Sequence, residues 1–327
     1  MKNNLAIVIP IFKPTFLRAS LDSLAKQTVK KFNVYLCNDA SPFDIKSIVS
    51  EFEGKFNFLY YEFDYNLGGI NLVQHWKRCI ELIGDENWVW LFSDDDIIEE
   101  NCVEKFYESL RISPNFDVYH FNVKMIDSYG CLIREFSKFD KIITSREFFA
   151  RRAENKIASF VVEYIFSIEV YKCFNGFQNF DLAWGADHAT WIKFASLNGI
   201  YTIEDAYVLW RKSTQNISPN ISDISICRRK IYASSEYYLW ANTFFDGEGI
   251  SARFFLISFI NDCKLYNCTV AWSDFKRCIF SFIFKLYKNK LILQIYLVYF
   301  VVVLYMFSHR ILKLLKNSCS WNEKSYG

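Results

Sequence analysis

The first 120 residues alternate short apolar runs with amphipathic stretches. LAIVIPIF (5–12), FNVYLC (32–37), FNFLYYEF (56–63), WVWLF (88–92) and FDVYHFNV (116–123) are nearly continuous in hydrophobic residues, which predicts buried strands. Between them, FLRASLDSLAKQ (16–27) and NLVQHWKRCIELI (71–83) space their apolar positions three and four apart, the period of an amphipathic helix. Strands buried on both faces and separated by helices predict an α/β fold with a mostly parallel sheet flanked by helices. In such sheets ligands lie outside the carboxyl ends of the strands, so the residues just after each run are the candidates for chemistry. From about 140 to 215 the rhythm is less regular, with polar and aromatic residues in WGADHATW (184–191) and WRKSTQNIS (210–218); after about 220 it is helical. The expected organisation is one domain over 1–218 and a helical carboxyl-terminal region over 219–327.

Composition narrows the class. Of the 327 residues, 52% are hydrophobic, 19% aromatic and 23% charged, which excludes a disordered or low-complexity chain. The 38 basic and 36 acidic residues leave +2, so nothing global points to nucleic acid, whose binding rests on neutralising phosphates; no nucleic-acid partner is expected. The ten cysteines are scattered, without a CxxC pair or a histidine at zinc spacing, and read as reduced, buried thiols of a cytosolic protein. The amino-terminal apolar stretch is too short for a signal peptide and runs straight into the first strand, an arrangement expected of a cytoplasmic domain. Neither GxGxxG nor GxxxxGK[ST] occurs, so a nucleotide must be held some other way.

The strongest chemical signal follows WVWLF: Ser93-Asp94-Asp95-Asp96. A helix start explains part of it, with Ser93 as cap, Asp96 three residues on, and acids at the positive end of the dipole. Three adjacent carboxylates at the exit of a buried strand repel one another, however, and a divalent cation resolves the repulsion. Magnesium is typically bound by one or two carboxylates plus substrate phosphates.

Taken in order, VIPIF, SLAKQT, YLCNDAS, NLGG and FSDDD resemble the family 2 glycosyltransferases of GT-A fold. The resemblance covers about residues 4 to 215. It implies that Asp39, in the turn after the second strand, hydrogen-bonds the donor's base, flanked by the backbone near Pro10 and Phe12. Asn66 and Gly68 would shape the donor site, Asp94 and Asp95 would face the donor, and Mg²⁺ or Mn²⁺ would be held by Asp96 first and Asp94 beside it. A turn-forming role explains Asp39 and the Asn66–Gly69 segment as well. The sequence also departs from the family: Ser93 stands where many members have Asp, and the phosphate-facing Arg has no counterpart in register. Lys77 or Arg78 stand nearby, though a solvated helix face accounts for them equally.

Transfer of a sugar with inversion needs a carboxylate that takes the acceptor hydroxyl's proton. By resemblance to the family's acidic pair at a helix start, Asp187 is the candidate base, with His188 where a second acid often stands; a helix cap and a packed histidine are the plain alternatives. Trp184, His188, Trp210 and Arg211 form the expected acceptor and phosphate side, since an indole offers a flat face to a sugar and a guanidinium two bonds to a phosphate. Asn216-Ile217-Ser218 completes the segment that resembles one closing over donor and acceptor in related bacterial enzymes.

Residues 291–307, LILQIYLVYFVVVLYMF, contain Gln294 as their one polar residue, and as a helix span about 26 Å against a hydrocarbon core of about 30 Å. From Asp274 to Lys316 eight Lys or Arg face one acid, on both sides of the apolar run. Cations at both ends suit a segment lying on the inner leaflet better than a crossing, and a single transmembrane segment or a core helix remain open. The reading is an inverting, metal-dependent transferase on the cytoplasmic face of the cell membrane. It would move a sugar from a nucleotide-sugar donor to a hydroxyl of a lipid-linked bacterial surface glycan. The rivals are a sugar-phosphate nucleotidylyltransferase, disfavoured because IFKPTFLRAS lacks a Gly-rich basic loop, and a non-catalytic membrane-bound glycan-binding protein.

Overall fold

The computed structural model describes residues 4–213 and 221–324, with side chains through Leu315. Two compact units emerge, Met1–Asn179 with Ala186–Gln215, and Phe180–Gly185 with Asn216–Gly327. The boundary expected at 218/219, and with it Asn216, Ile217 and Ser218, lies outside the described residues.

The first unit begins β1 (Leu5–Ile11), α1 (Leu17–Ala25), β2 (Phe32–Asn38), α2 (Ile45–Ser50), β3 (Asn57–Glu62), α3 (Leu72–Ile80) and β4 (Trp88–Leu91). These strands and the two long helices coincide with the apolar runs and amphipathic stretches of the sequence, but β3, expected to be buried, lies at the edge of the sheet and is largely exposed, with no strand beyond it among the described residues to cover Leu59 and Tyr61. Next come β5 (Ile97–Ile98), α4 (Cys102–Ile112), β6 (Val118–Ile126), β7 (Leu132–Glu135), β8 (Ile142–Ile143), α5 (Ser145–Ala153), β9 (Tyr164–Ser167), α6 (Ile168–Cys173), α7 (Ala186–Phe194) and β10 (Ile200–Arg211). The sheet order is β3-β2-β1-β4-β9-β6-β10-β5, with β7 on β6 and β8 on β10. The long pairs are parallel: β2 with β3, β1 with β2 and β4, β6 with β10. Short β9 runs antiparallel between β4 and β6. The fold is thus the mixed α/β, mostly parallel arrangement expected.

Why the sheet is covered follows from its side chains. Ile7 and Ile9 of β1 pack with Leu21 of α1 and Phe106 of α4 in one core. On β9 successive residues point to opposite faces, so Ile165 enters that core while Tyr164 stacks on Trp191 of α7 at 4.4 Å. Trp90, fully buried, donates from Nε1 to the Val162 carbonyl (2.6 Å) and stacks on Phe121; burying a side chain of this kind contributes about 2–3 kcal/mol. The nine described cysteines are free thiols, six of them buried; Cys131 and Cys173 are exposed, so burial does not extend to all of them as the sequence reading had it.

The second unit is helical: α8 (Ile224–Phe244), α9 (Ala252–Cys263), α10 (Trp272–Leu286) and α11 (Ile292–Lys324), joined by a single 3-10 turn at Asp181–Ala183. Asp181 accepts from Nε and Nη2 of Arg229 at 2.8 and 2.6 Å. Phe259 of α9 packs on Phe282 of α10 at 4.1 Å.

Candidate active site at the carboxyl edge of the sheet

Asp39 follows β2 directly and its amide donates to the Ile11 carbonyl (2.8 Å), which fixes it against the end of β1. Its carboxylate is 2% exposed. Oδ1 accepts from the Leu67 amide (2.9 Å) and from Arg78 Nη2, and Oδ2 accepts from the Gly68 amide (2.8 Å). Arg78 also donates from Nη2 to the Tyr65 carbonyl (3.0 Å) and lies over the Phe63 ring at 3.8 Å. It is therefore no solvated-face residue. It carries the charge that balances Asp39, with His75 Nδ1 3.4 Å from Oδ1 and pushed down to about 4 by burial, so that its ring is neutral. The loop closes on itself as well: Asn66 Oδ1 accepts from the Gly69 amide (2.6 Å). A Cβ on Gly68 would stand 2.7 Å from Asp39 Oδ2, which is why only glycine fits there. Pro10 pairs with Cys37 at the end of β1.

The acidic run is not a helix start, because α4 begins at Cys102 after an Asn101 cap. It forms a loop between β4 and β5 that is bound from all sides. Asp94 Oδ2 accepts from the amides of Phe12 (3.1 Å) and Lys13 (3.2 Å). Ser93 Oγ donates to Asp95 Oδ1 (2.8 Å) and Asp96 Oδ2 (2.6 Å), and the other oxygen of Asp96 accepts the Arg211 amide at 2.6 Å. Asp96 is 2% exposed with both oxygens engaged; it anchors the loop, while Asp94 and Asp95 are partly exposed. Burial, then the Asp95 charge, raises Asp94 to about 7 and Asp96 well above the usual carboxylate range.

Asp94, raised to about 7 and set beside the like charge of Asp95, fits a hard divalent cation, which would take the proton's place. Among the described residues no three His, Cys, Asp or Glu side chains converge as a cage, so further ligands would be substrate oxygens.

Arg211 ends β10 and is 2% exposed. Nε donates to the Asp95 carbonyl (2.7 Å) and Nη1 to the Asp127 carbonyl (2.8 Å), with the guanidinium over Phe16 at 4.6 Å. These bonds make it a strut between the acidic loop and the turn after β6. Trp210 beside it stacks on Phe160 at 4.4 Å.

Asp187 stands in the first turn of α7, its side chain 19% exposed, with Oδ2 3.7 Å from His188 Nε2. His188 is backed by Arg152, whose Nε is 3.1 Å from the same nitrogen, and burial pushes its pKa down to about 4. Trp184 belongs to the second unit, where Nε1 donates to Ser234 Oγ (3.1 Å) and its ring lies 4.5 Å from Lys230 Nζ.

The sequence reading names Arg78 only as a stand-in for the phosphate-facing Arg or as a solvated-face residue and misses its bond to Asp39, though its spacing of three from His75 already puts it beside the buried stripe of α3. Glu163 escapes that reading: fully buried just before β9, it accepts the Phe160 amide at Oε1 (2.6 Å), while Oε2 has no hydrogen-bond partner among the described residues. Burial holds its carboxyl well above the usual range, and the charges of Asp187 and Asp96 add to the effect. No sequence signal marks it, since a single Glu in an apolar stretch resembles any strand-edge residue.

Residues 6–162 match the model of Glycosyl transferase family 2. Among solved structures, S. aureus TarS 1–349 in complex with UDP-GlcNAc is 16% identical, with a TM-score of 0.54 over 87% of this chain and 85% of that one. The same TarS segment with UDP gives 14% identity and a TM-score of 0.52 over 95% and 88%. No curated protein matches the chain. At these identities the likeness is one of fold, and the fold is GT-A-like.

Proposed function

Residues 6–162 belong to glycosyl transferase family 2, and from that premise we propose that this glycosyltransferase moves a sugar, with inversion and metal dependence, from a nucleotide donor to a hydroxyl of a lipid-linked glycan. The observation that supports a single donor site is Phe12. Its amide donates to Asp94 while its carbonyl accepts from Ser41 Oγ (2.7 Å), which ties the Asp39 turn to the acidic loop. The base would rest between Pro10, Phe12, Asp39 and the Asn66–Gly68 loop, and Arg78 would hold the Asp39 carboxylate in position as an acceptor.

Asp94 and Asp95 would hold a magnesium or manganese ion, which balances the charge of the departing diphosphate; this departs from the sequence expectation of Asp96 first with Asp94 beside it, because Ser93 Oγ and the Arg211 amide engage both oxygens of Asp96. Asp96, Ser93 and Arg211 keep that loop in place. Asp187 would take the proton of the acceptor hydroxyl as the oxygen bonds to the anomeric carbon and the bond from that carbon to the phosphate oxygen breaks. His188, neutral and backed by Arg152, leaves Asp187 as the proton acceptor. Trp210 would offer a flat face to a sugar ring, and Trp184, in the second unit, is a separate candidate for such a contact. An apolar, basic carboxyl-terminal region would hold the enzyme at the cytoplasmic face of the membrane and raise the effective concentration of a lipid-linked acceptor.

A thermal-shift screen of nucleotide sugars with and without Mn²⁺ tests the donor, beginning with UDP-GlcNAc, which TarS binds. A true donor stabilises the fold as RT ln(1 + [L]/Kd). Asp187→Asn should keep that shift and lose about 10²–10⁴-fold in turnover, the usual worth of a positioned base. Turnover like that of the wild type would remove Asp187 from the role.

A further inference from the structure

We infer that α11 lies in the plane of an anionic membrane, one side buried in the leaflet and the other held by α10. This rests on the membrane reading above and adds the face, the orientation and the lipid class. Ile292–Leu315 has a mean hydropathy of 1.8 with 11% of its apolar window buried, so it is not a core helix. Its packed stripe is narrow. Ile295 and Met306 are buried, Tyr296 and Tyr299 meet Phe280 of α10, and Phe307 meets Trp272. Asn267 Nδ2 bolts the helix through the Met306 carbonyl (2.8 Å), and Arg310 Nη1 donates to the Val270 carbonyl (3.1 Å).

The opposite arc is open. Leu293, Leu297, Phe300, Leu304 and Ile311 recur at steps of four, three, four and seven and are each between 41% and 71% exposed, one face of a helix. No acid or base belongs to that arc: the only charged residues from 291 to 315 are Arg310 and Lys313, both partly buried.

Orientation follows from the partner helix. α10 carries Asp274, Lys276, Arg277 and Lys285 and packs along α11. A crossing by α11 would draw these charges into hydrocarbon, which is costly. Lying flat, α11 buries its arc while α10 stays in water. The occupant follows from charge: Lys285, Lys288 and Lys290 are exposed at one end of the arc, and Arg310 and Lys313 flank the other. A second copy docking on this face would set cations against cations; anionic headgroups neutralise them.

The test uses the full chain and extruded vesicles of phosphatidylcholine alone or with phosphatidylglycerol. Co-flotation should be at least tenfold greater with the anionic lipid and fall at high salt. Leu297→Glu with Leu304→Glu should lower it at least tenfold with unchanged circular dichroism. With Cys131, Cys173 and Cys319 replaced by serine, fluorophores on Leu293→Cys, Leu304→Cys and Ile311→Cys should be quenched to equal extents by lipids brominated near the headgroup. Graded depths along the helix would overturn the in-plane placement while leaving the membrane reading intact. Flotation with neither vesicle would overturn both. A wild-type dimer that the double variant dissociates, without flotation, would assign the face to a second copy.

Discussion

Arg211 separates two roles that the sequence could not tell apart, a phosphate ligand and a structural strut. Replacing it with alanine removes two charged hydrogen bonds, to the carbonyls of Asp95 and Asp127, each worth about 1.5–3 kcal/mol. The contact with Phe16 adds about 1 kcal/mol. The backbone bond from residue 211 to Asp96 survives, so the expected loss is about 4–7 kcal/mol, a large part of the 5–15 kcal/mol that holds a typical domain together. Arg211→Lys keeps the charge but reaches one carbonyl at a time, and should cost about half as much. Urea unfolding followed by tryptophan fluorescence measures both, with titration of the nucleotide sugar that stabilises the wild type in the thermal-shift screen alongside. If Arg211→Ala unfolds at the wild-type urea midpoint while affinity for that nucleotide sugar collapses, the strut is wrong and Arg211 is a ligand.

Gly68→Ala forces a methyl to within 2.7 Å of Asp39 Oδ2, an oxygen that cannot retreat without breaking the bond from the Gly68 amide. The expected cost is about 1–3 kcal/mol, seen as a lower melting temperature and weaker nucleotide binding. Glu163 has its pKa raised by burial, so the folded state binds the extra proton and stability falls as pH rises above the unfolded value of about 4.3. Glu163→Gln should therefore gain stability relative to wild type between pH 5 and 8, and a difference that stays flat across that range would show an ionised Glu163. His188 has its pKa lowered to about 4 by burial, so the unfolded state binds the proton first and stability is lost as pH falls from 6.5 to 4. His188→Gln should recover up to about 3 kcal/mol at pH 4 relative to pH 7, measured by urea midpoints at both.

Much of this fold was legible because β1, β2 and β4 are buried on both faces, and double burial writes itself as an unbroken apolar run. The site was legible where a residue's chemistry was odd for its place, as with three acids after a buried strand. What stayed hidden depends on partners far along the chain. Arg78 reads as any helical cation until Asp39, 39 residues earlier, is brought to it. The helix-start reading of Ser93–Asp96 failed because β5 pairs with β10, a contact between positions more than 100 residues apart, and holds the acids in a loop. β9 enters the sheet antiparallel between β4 and β6 because its neighbours in space are not its neighbours in sequence.

The six residues Phe180–Gly185 carry a consequence for how this protein can be divided. The chain leaves the first unit, contributes this short piece to the second and returns at Ala186, one residue before Asp187. A cut near residue 215 would part Asp181 from Arg229 and Gly185 from the Tyr237 ring it abuts, and would leave the left-handed Leu182 and Ala183 without the neighbours that hold them so. Neither unit is a contiguous stretch of coding sequence. Exchange of the second unit between related enzymes, by recombination or in the laboratory, must therefore carry this six-residue graft with it.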